Sequence, residues 1–134
     1  MQAFGDLDGR HGVQNPGDGY GIIPYVTQME AAASQAAAAP DATNAIQAHS
    51  SHVTIATDNA LAWAAEVREA ALQIMAADSV GEIGPQVETI RQSSRLLLNG
   101  ADNNGDGEIA PAEGGIFTAY QHAQYMAAIT VVTE

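Results

Sequence analysis

Alanine dominates the middle of this chain and constrains its fold more than any other feature. It recurs in EAAASQAAAAP at residues 30–40 and in NALAWAAEVREAALQ at residues 59–73. Alanine is the best helix former, and its small side chain buries little apolar surface. We therefore expect an all-α fold in which thin helices pack closely against one another.

The apolar periodicity predicts four helices in a single domain spanning residues 1–134. Pro40 ends the first helix, Asp41 is expected to cap the second, and Gly81 and Gly84 separate the second from the third. Short connections predict an antiparallel four-helix bundle over residues 22–134, preceded by an N-terminal loop rich in Asp and Gly over residues 1–21. The predicted helices cover residues 22–39, 42–77, 85–98 and 111–131.

Side chains spaced three and four residues apart predict the buried face of each helix. On the second helix this face contains Ile46, His49, His52 or Val53, Ala56, Asn59 or Ala60, Trp63, Val67, Ala70 and Ile74. On the third it contains Val87, Ile90, Ser94 and Leu97, and on the fourth Ile116, Tyr120, Ala123, Ala127 and Val131. The methionines Met29, Met75 and Met126 are expected to fill the core.

The charge is strongly acidic, with 16 Asp and Glu residues against 4 Lys and Arg, a net charge of −12. This charge disfavours nucleic acid and anionic membranes as partners, and it favours cations, which relieve repulsion among carboxylates. No apolar run approaches the ~18 residues of a membrane span. The absence of cysteine excludes disulfides, zinc thiolate sites, iron–sulfur clusters and thiol nucleophiles.

The segment DNNGDGEIAPAE at residues 102–113 matches the pattern D-x-[DN]-x-[DN]-G-x₅-E. It resembles the EF-hand calcium loop, and Ca²⁺ is the cofactor that this resemblance implies. The implied ligands are the side chains of Asp102, Asn104 and Asp106, the backbone carbonyl of Glu108, and both carboxylate oxygens of Glu113.

The resemblance extends to the flanks of this loop, over about thirty residues in all. It implies an entering helix that ends in TIRQSSRLLLNG and an exiting helix that begins with PAEGGIFTAYQHAQYM, with Glu113 in its first turn. Gly107 permits the sharp turn, a water replaces the missing ligand at Ala110, and Ile109 points into the core. Gly114 and Gly115 depart from the pattern and are expected to weaken the exiting helix.

A second loop, GDLDGRHGVQNPGDG at residues 5–19, is similar to a degenerate EF-hand or dockerin-like loop. Asp6 and Asp8 fit the first ligand positions, and Asp18 fits the last if the loop is expanded. Arg10 occupies a ligand position and would repel Ca²⁺. Three interpretations stay open: a second calcium site, a loop that keeps the shape without the ion, and a plain glycine-rich loop.

Three histidines form a further candidate site. His49 and His52 share one helix face, and with His122 on the last helix they offer ligands for a transition metal or haem. Packing or surface roles are the favoured interpretation, because helical bundles bury lone histidines with ordinary hydrogen bonds. Asn59, four residues before Trp63, is likewise expected to fix helix register through a hydrogen bond rather than contact a ligand.

The sequence contains no nucleophile elbow, phosphate loop or dinucleotide fingerprint, so no enzymatic function is expected. We expect a calcium-binding module in which Ca²⁺ braces the fold, acting as an interaction or structural subunit with another protein or with its own copies. An extracellular or periplasmic location is favoured, although residues 1–10 do not resemble a signal peptide. The alternatives are a haem- or transition-metal-binding bundle and a calcium sensor that binds a partner helix.

Overall fold

The computed structural model describes residues 21–127 of the chain. They form four α-helices and no strand: α1 (Ile22–Ala37), α2 (Asn44–Ala76), α3 (Gly84–Asn99) and α4 (Ile116–Ala127). Short 3₁₀ turns occupy Val80–Glu82 and Pro111–Glu113. The predicted all-α fold with four helices is confirmed for these residues. Within this range, no helix combines the length and apolar character needed to cross a membrane.

Two predicted helix starts differ from the structure. The cap of α2 is Thr43 rather than Asp41, because the Thr43 Oγ1 accepts a hydrogen bond from the Ile46 amide at 3.2 Å. The last helix starts at Ile116 rather than Pro111, because the backbone becomes extended at Gly114 after the 3₁₀ turn.

The 33-residue helix α2 is the central element, and α1, α3 and α4 all pack against it. The helix α3 lies along the C-terminal half of α2, where Ser93 contacts Glu66, and α4 lies along the N-terminal half, where Ala119 contacts the Val53 region. Both run antiparallel to α2. The two helices therefore follow one another along α2, and the loop between them lies beside the middle of that helix.

Small side chains dominate the contacts between helices. One buried cluster contains Val26, Ala60, Ala64 and Leu97, with Trp63 packed against it. A second contains Ala33, Val53, Ala56 and Ala119, with Met29 and Met126 packed against it. The expected close packing of alanine-rich helices and the core role of Met29 and Met126 are confirmed.

The predicted buried faces of α3 and α4 are partly wrong. Val87 and Tyr120 are 50% and 53% exposed, and Ser94 and Ala127 are exposed as well. The buried neighbours are small instead: Ser93, whose hydroxyl donates to the Glu66 carboxylate at 2.6 Å, and Ala119. Where backbones approach closely, small residues occupy the contact and larger side chains are displaced to its edge.

Candidate functional site

The loop between α3 and α4, residues 100–115, is called here the acidic loop, and it folds around the Asp102 side chain. The Asp102 carboxylate accepts hydrogen bonds from the amides of Gly105 at 2.7 Å and Gly107 at 2.9 Å. Both glycines have positive φ angles, 76° and 87°, in the left-handed region that favours glycine. The turn expected at Gly107 is therefore present, and Gly105 supplies a second one.

The next two predicted ligands continue this pattern. The Asn104 Oδ1 accepts from the Asp106 amide at 2.9 Å, and the Asp106 Oδ1 accepts from the Glu108 amide at 2.8 Å. The Asn104 Nδ2 also donates to the other Asp106 carboxylate oxygen at 2.9 Å. These local bonds curl the backbone around its own oxygen-bearing side chains, while Asp102, Asn104, Asp106 and Glu108 all remain exposed.

Glu113 differs from these residues because its side chain is buried, at 7% exposure. Its Oε1 accepts from the amides of Asn103 at 2.9 Å and Asn104 at 3.2 Å, and its Oε2 accepts from the Ala110 amide at 3.2 Å. The Glu113 carboxylate thus links the start of the acidic loop, at Asn103 and Asn104, to its later part at Ala110. It lies in the Pro111–Glu113 turn, so the prediction that it belongs to the first turn of the final helix is wrong.

Glycines allow the two ends of the acidic loop to lie close together. The Ala101 amide donates to the Glu113 carbonyl at 2.9 Å. A Cβ atom at Gly100 would lie 2.4 Å from that carbonyl oxygen, and one at Gly115 would lie 2.5 Å from the Leu97 carbonyl oxygen. Gly115 is therefore needed for the close approach of the loop to the end of α3. Gly114 and Gly115 do not weaken α4, because that helix begins after them.

Asn59 connects the acidic loop to α2, a partner that the sequence did not reveal. Its Nδ2 donates to the carbonyls of Ala112 at 3.0 Å and Gly114 at 3.1 Å. Asn59 therefore does form hydrogen bonds, but it bonds to the loop and is only half-buried, so the expected buried bond that fixes helix register is not observed. The predicted core position of Ile109 is wrong, because its side chain is 39% exposed and packs over Gly100 at the base of the loop.

His49, His52 and His122 form a histidine cluster between α2 and α4. The His122 Nδ1 lies 2.8 Å from the His49 Nδ1 and 3.3 Å from the His52 Nδ1. One ring nitrogen from each residue lies within 4.8 Å of the other two, and all three residues are half-buried. Separate packing or surface roles were the favoured interpretation from sequence, but the structure brings the three rings together.

The electrostatics of the histidine cluster favour a neutral ring at its centre. Burial lowers the pKa of His122 below its usual value, and the nearby imidazoles of His52 and His49 lower it further because positive charges there would repel. A neutral imidazole has one nitrogen lone pair available to accept a hydrogen bond or bind a metal.

The remaining predicted ligands, Asp6, Asp8 and Asp18, lie outside the described residues.

Comparisons with protein-family models, curated proteins and solved structures find no match to this chain. A functional interpretation therefore depends on the chemistry and geometry of the acidic loop and the histidine cluster.

Proposed function

We propose that this protein is a non-enzymatic calcium-binding module in which Ca²⁺, held by the acidic loop, braces the helical fold. The observation that carries this proposal is the buried Glu113 carboxylate, which closes a twelve-residue segment whose other oxygen-bearing side chains are exposed. Three backbone amides donate to this carboxylate, and a divalent cation would supply the opposite charge that amides lack.

The donor set suits this ion. Ca²⁺ prefers six to eight oxygen ligands, roughly 2.3–2.6 Å away. Asp102, Asn104 and Asp106 supply side-chain oxygens, Glu108 supplies a carbonyl, and Glu113 supplies a carboxylate. A carboxylate has about four lone-pair sites, and Glu113 already accepts three amide bonds. Bidentate ligation by Glu113 would therefore require it to release at least one amide.

The acidic loop is placed where such an ion would act as a brace. It joins α3 to α4, and Asn59 bonds the exit of the loop to α2. Binding to the folded state alone stabilises by RT ln(1 + [L]/Kd), or about 2.7 kcal/mol when calcium is at 100 times Kd. Calcium would also reduce repulsion within a chain of net charge −12.

This function suits an extracellular or periplasmic setting, where a low-affinity site would fill if calcium reaches millimolar levels. A braced helical module of this kind would act as a structural or interaction subunit. Its partner would be another protein or further copies of the same chain.

Calorimetric titration with Ca²⁺ tests the proposal through two variants that remove the same charge from the same loop. Glu113→Gln should weaken calcium binding by at least about tenfold, because the closing carboxylate is lost. Glu108→Gln is the matched control, since only the backbone carbonyl of this residue is a proposed ligand, and it should bind nearly as the unmodified protein does. Equal affinities for the two variants would contradict the proposal.

Thermal unfolding then tests the bracing role. The unmodified protein and Glu108→Gln should melt at a lower temperature in EDTA than in calcium. Glu113→Gln should lose most of this difference. An unmodified protein whose melting temperature is the same in EDTA and in millimolar calcium would show that no bound calcium braces the fold.

A further inference from the structure

The histidine cluster has a different ligand chemistry from the acidic loop. Calcium prefers oxygen, whereas neutral imidazole nitrogen suits zinc, copper and nickel. The three rings come from two helices: His49 and His52 lie three residues apart on one face of α2, and His122 faces them from α4. Three nitrogen donors thus converge from two elements whose positions the core fixes.

The distances between the ring nitrogens are close to those of a metal site, with one equal to the expected spacing and one 0.5 Å shorter. Zinc–nitrogen bonds of 2.0–2.1 Å in a tetrahedron place neighbouring ligand nitrogens about 3.3 Å apart. The Nδ1 atoms of His49 and His52 lie 2.8 Å and 3.3 Å from that of His122. One nitrogen from each ring lies within 4.8 Å of the others, so the three donors face a common space.

Hydrogen bonding alone accounts less well for this convergence. A neutral imidazole has one N–H donor and one acceptor nitrogen. The His122 Nδ1 faces the Nδ1 atoms of both His49 and His52. It has either one proton to donate or one lone pair to accept with, so it cannot form a full hydrogen bond to both. A metal ion would use a lone pair from all three rings at once, with the ring protons on the other nitrogens. Half-burial leaves the site open to an ion and to water.

We propose that His49, His52 and His122 bind one divalent first-row transition-metal ion, with Zn²⁺ the best fit, through three imidazole nitrogens. Water fills the fourth position, because three protein ligands leave a tetrahedral site open. This site shares no ligand with the proposed calcium loop, and the proposal does not rest on calcium binding there.

Calorimetric titration with zinc chloride tests this site on the full chain, first stripped of metal and then equilibrated in millimolar calcium. Calcium is present so that the acidic loop does not compete for zinc. The unmodified protein should bind one zinc ion per chain. His52→Gln and His122→Gln should each bind zinc at least about tenfold more weakly, because each loses one of three ligands.

His11→Gln is the matched control, because it removes the one remaining histidine of the chain. It should bind zinc as the unmodified protein does. Zinc binding that survives in both His52→Gln and His122→Gln, or that is lost equally in His11→Gln, would overturn the proposal. Circular dichroism of each variant shows whether a loss of binding accompanies a loss of fold.

Nuclear magnetic resonance of the unmodified protein supplies a test that needs no His52 or His122 variant. One equivalent of zinc should shift three of the four histidine ring signals, and His11→Gln identifies the fourth. Zinc should leave the loop amide signals of the calcium-saturated protein unchanged. If no ring signals shift, or if the shifts occur only in the acidic loop, the three-histidine site is excluded while the calcium proposal stands.

Discussion

The acidic loop and the histidine cluster lie close together but are built in opposite ways. Asn59, which holds the loop, follows His52 by seven residues on α2, a rise of about 10 Å. Every proposed loop ligand lies within residues 102–113. The cluster instead joins positions that are 70 and 73 residues apart in the chain.

This difference means that the two regions depend on different parts of the fold. In the acidic loop, bonds between side chains and backbone amides of the same segment fix the arrangement. In the histidine cluster, the arrangement exists only while α4 is docked on α2. Changes to helix packing should therefore disturb the histidine cluster more than the acidic loop. A change of pH should affect metal binding at the two sites to different extents, because one has imidazole ligands and the other has carboxylates.

Acidification should produce the largest difference between the two regions. Lowering the pH from 7.5 to 5.5 should weaken zinc binding by at least about 100-fold, because protons compete for the three imidazoles. A ring with the usual pKa near 6.5 loses about tenfold of its neutral form, and His122 loses less because its pKa is lowered. Calcium binding should change by less than about twofold, because carboxyl groups titrate near pH 4. Paired calorimetric titrations at both pH values measure this, and a parallel loss of the two affinities would contradict separate sites.

A methyl group at Gly115 should disturb the docking of α4. Gly115→Ala should lower the free energy of unfolding by about 1–3 kcal/mol, because the new Cβ would press on the Leu97 carbonyl. Gly84→Ala is the control, since its Cβ meets nothing within 4 Å, and its effect should be within about 0.5 kcal/mol. Urea unfolding in EDTA measures both, and equal stabilities would rule out the close approach.

Removal of the Asn59 amide should loosen the contact between α2 and the acidic loop. Asn59→Ala should cost about 1–2 kcal/mol, because the hydrogen bonds to the carbonyls of Ala112 and Gly114 are lost. Asn99→Ala is the control, since the Asn99 amide donates to Arg95 within its own helix. The same unfolding measurement should show little change for Asn99→Ala, and a similar loss in both variants would argue against a special role for Asn59.

Calcium should have a modest effect on zinc affinity. An ordered acidic loop positions α4, which carries His122, so saturating calcium should strengthen zinc binding by about fivefold. The coupling must be reciprocal, because both affinities belong to one thermodynamic cycle. Zinc titrations with and without calcium measure it. Identical zinc affinities would show that the acidic loop does not influence the position of α4.

Much of the fold could be predicted because helix formation is largely local. The alanine runs, the apolar periodicity and the Pro and Gly residues between them predicted four helices. Within residues 21–127 the predicted bounds differ from the observed ones by a few residues, most of all at the start of α4. The buried faces of α3 and α4 were harder to predict. Apolar periodicity favoured Val87 and Tyr120, whereas the close helix contacts selected Ser93 and Ala119.

The sequence by itself determined the helical class, the acidic character and the ordered set of oxygen-bearing residues from Asp102 to Glu113. The acidic character follows from composition alone. The helices and the loop are local features, because their hydrogen bonds join residues close together in the chain. Only the tertiary structure decided that Glu113 is buried, that Asn59 holds the loop exit, and that His122 meets His49 and His52. Such contacts join distant positions, and their geometry is set by how closely small side chains allow the helices to approach.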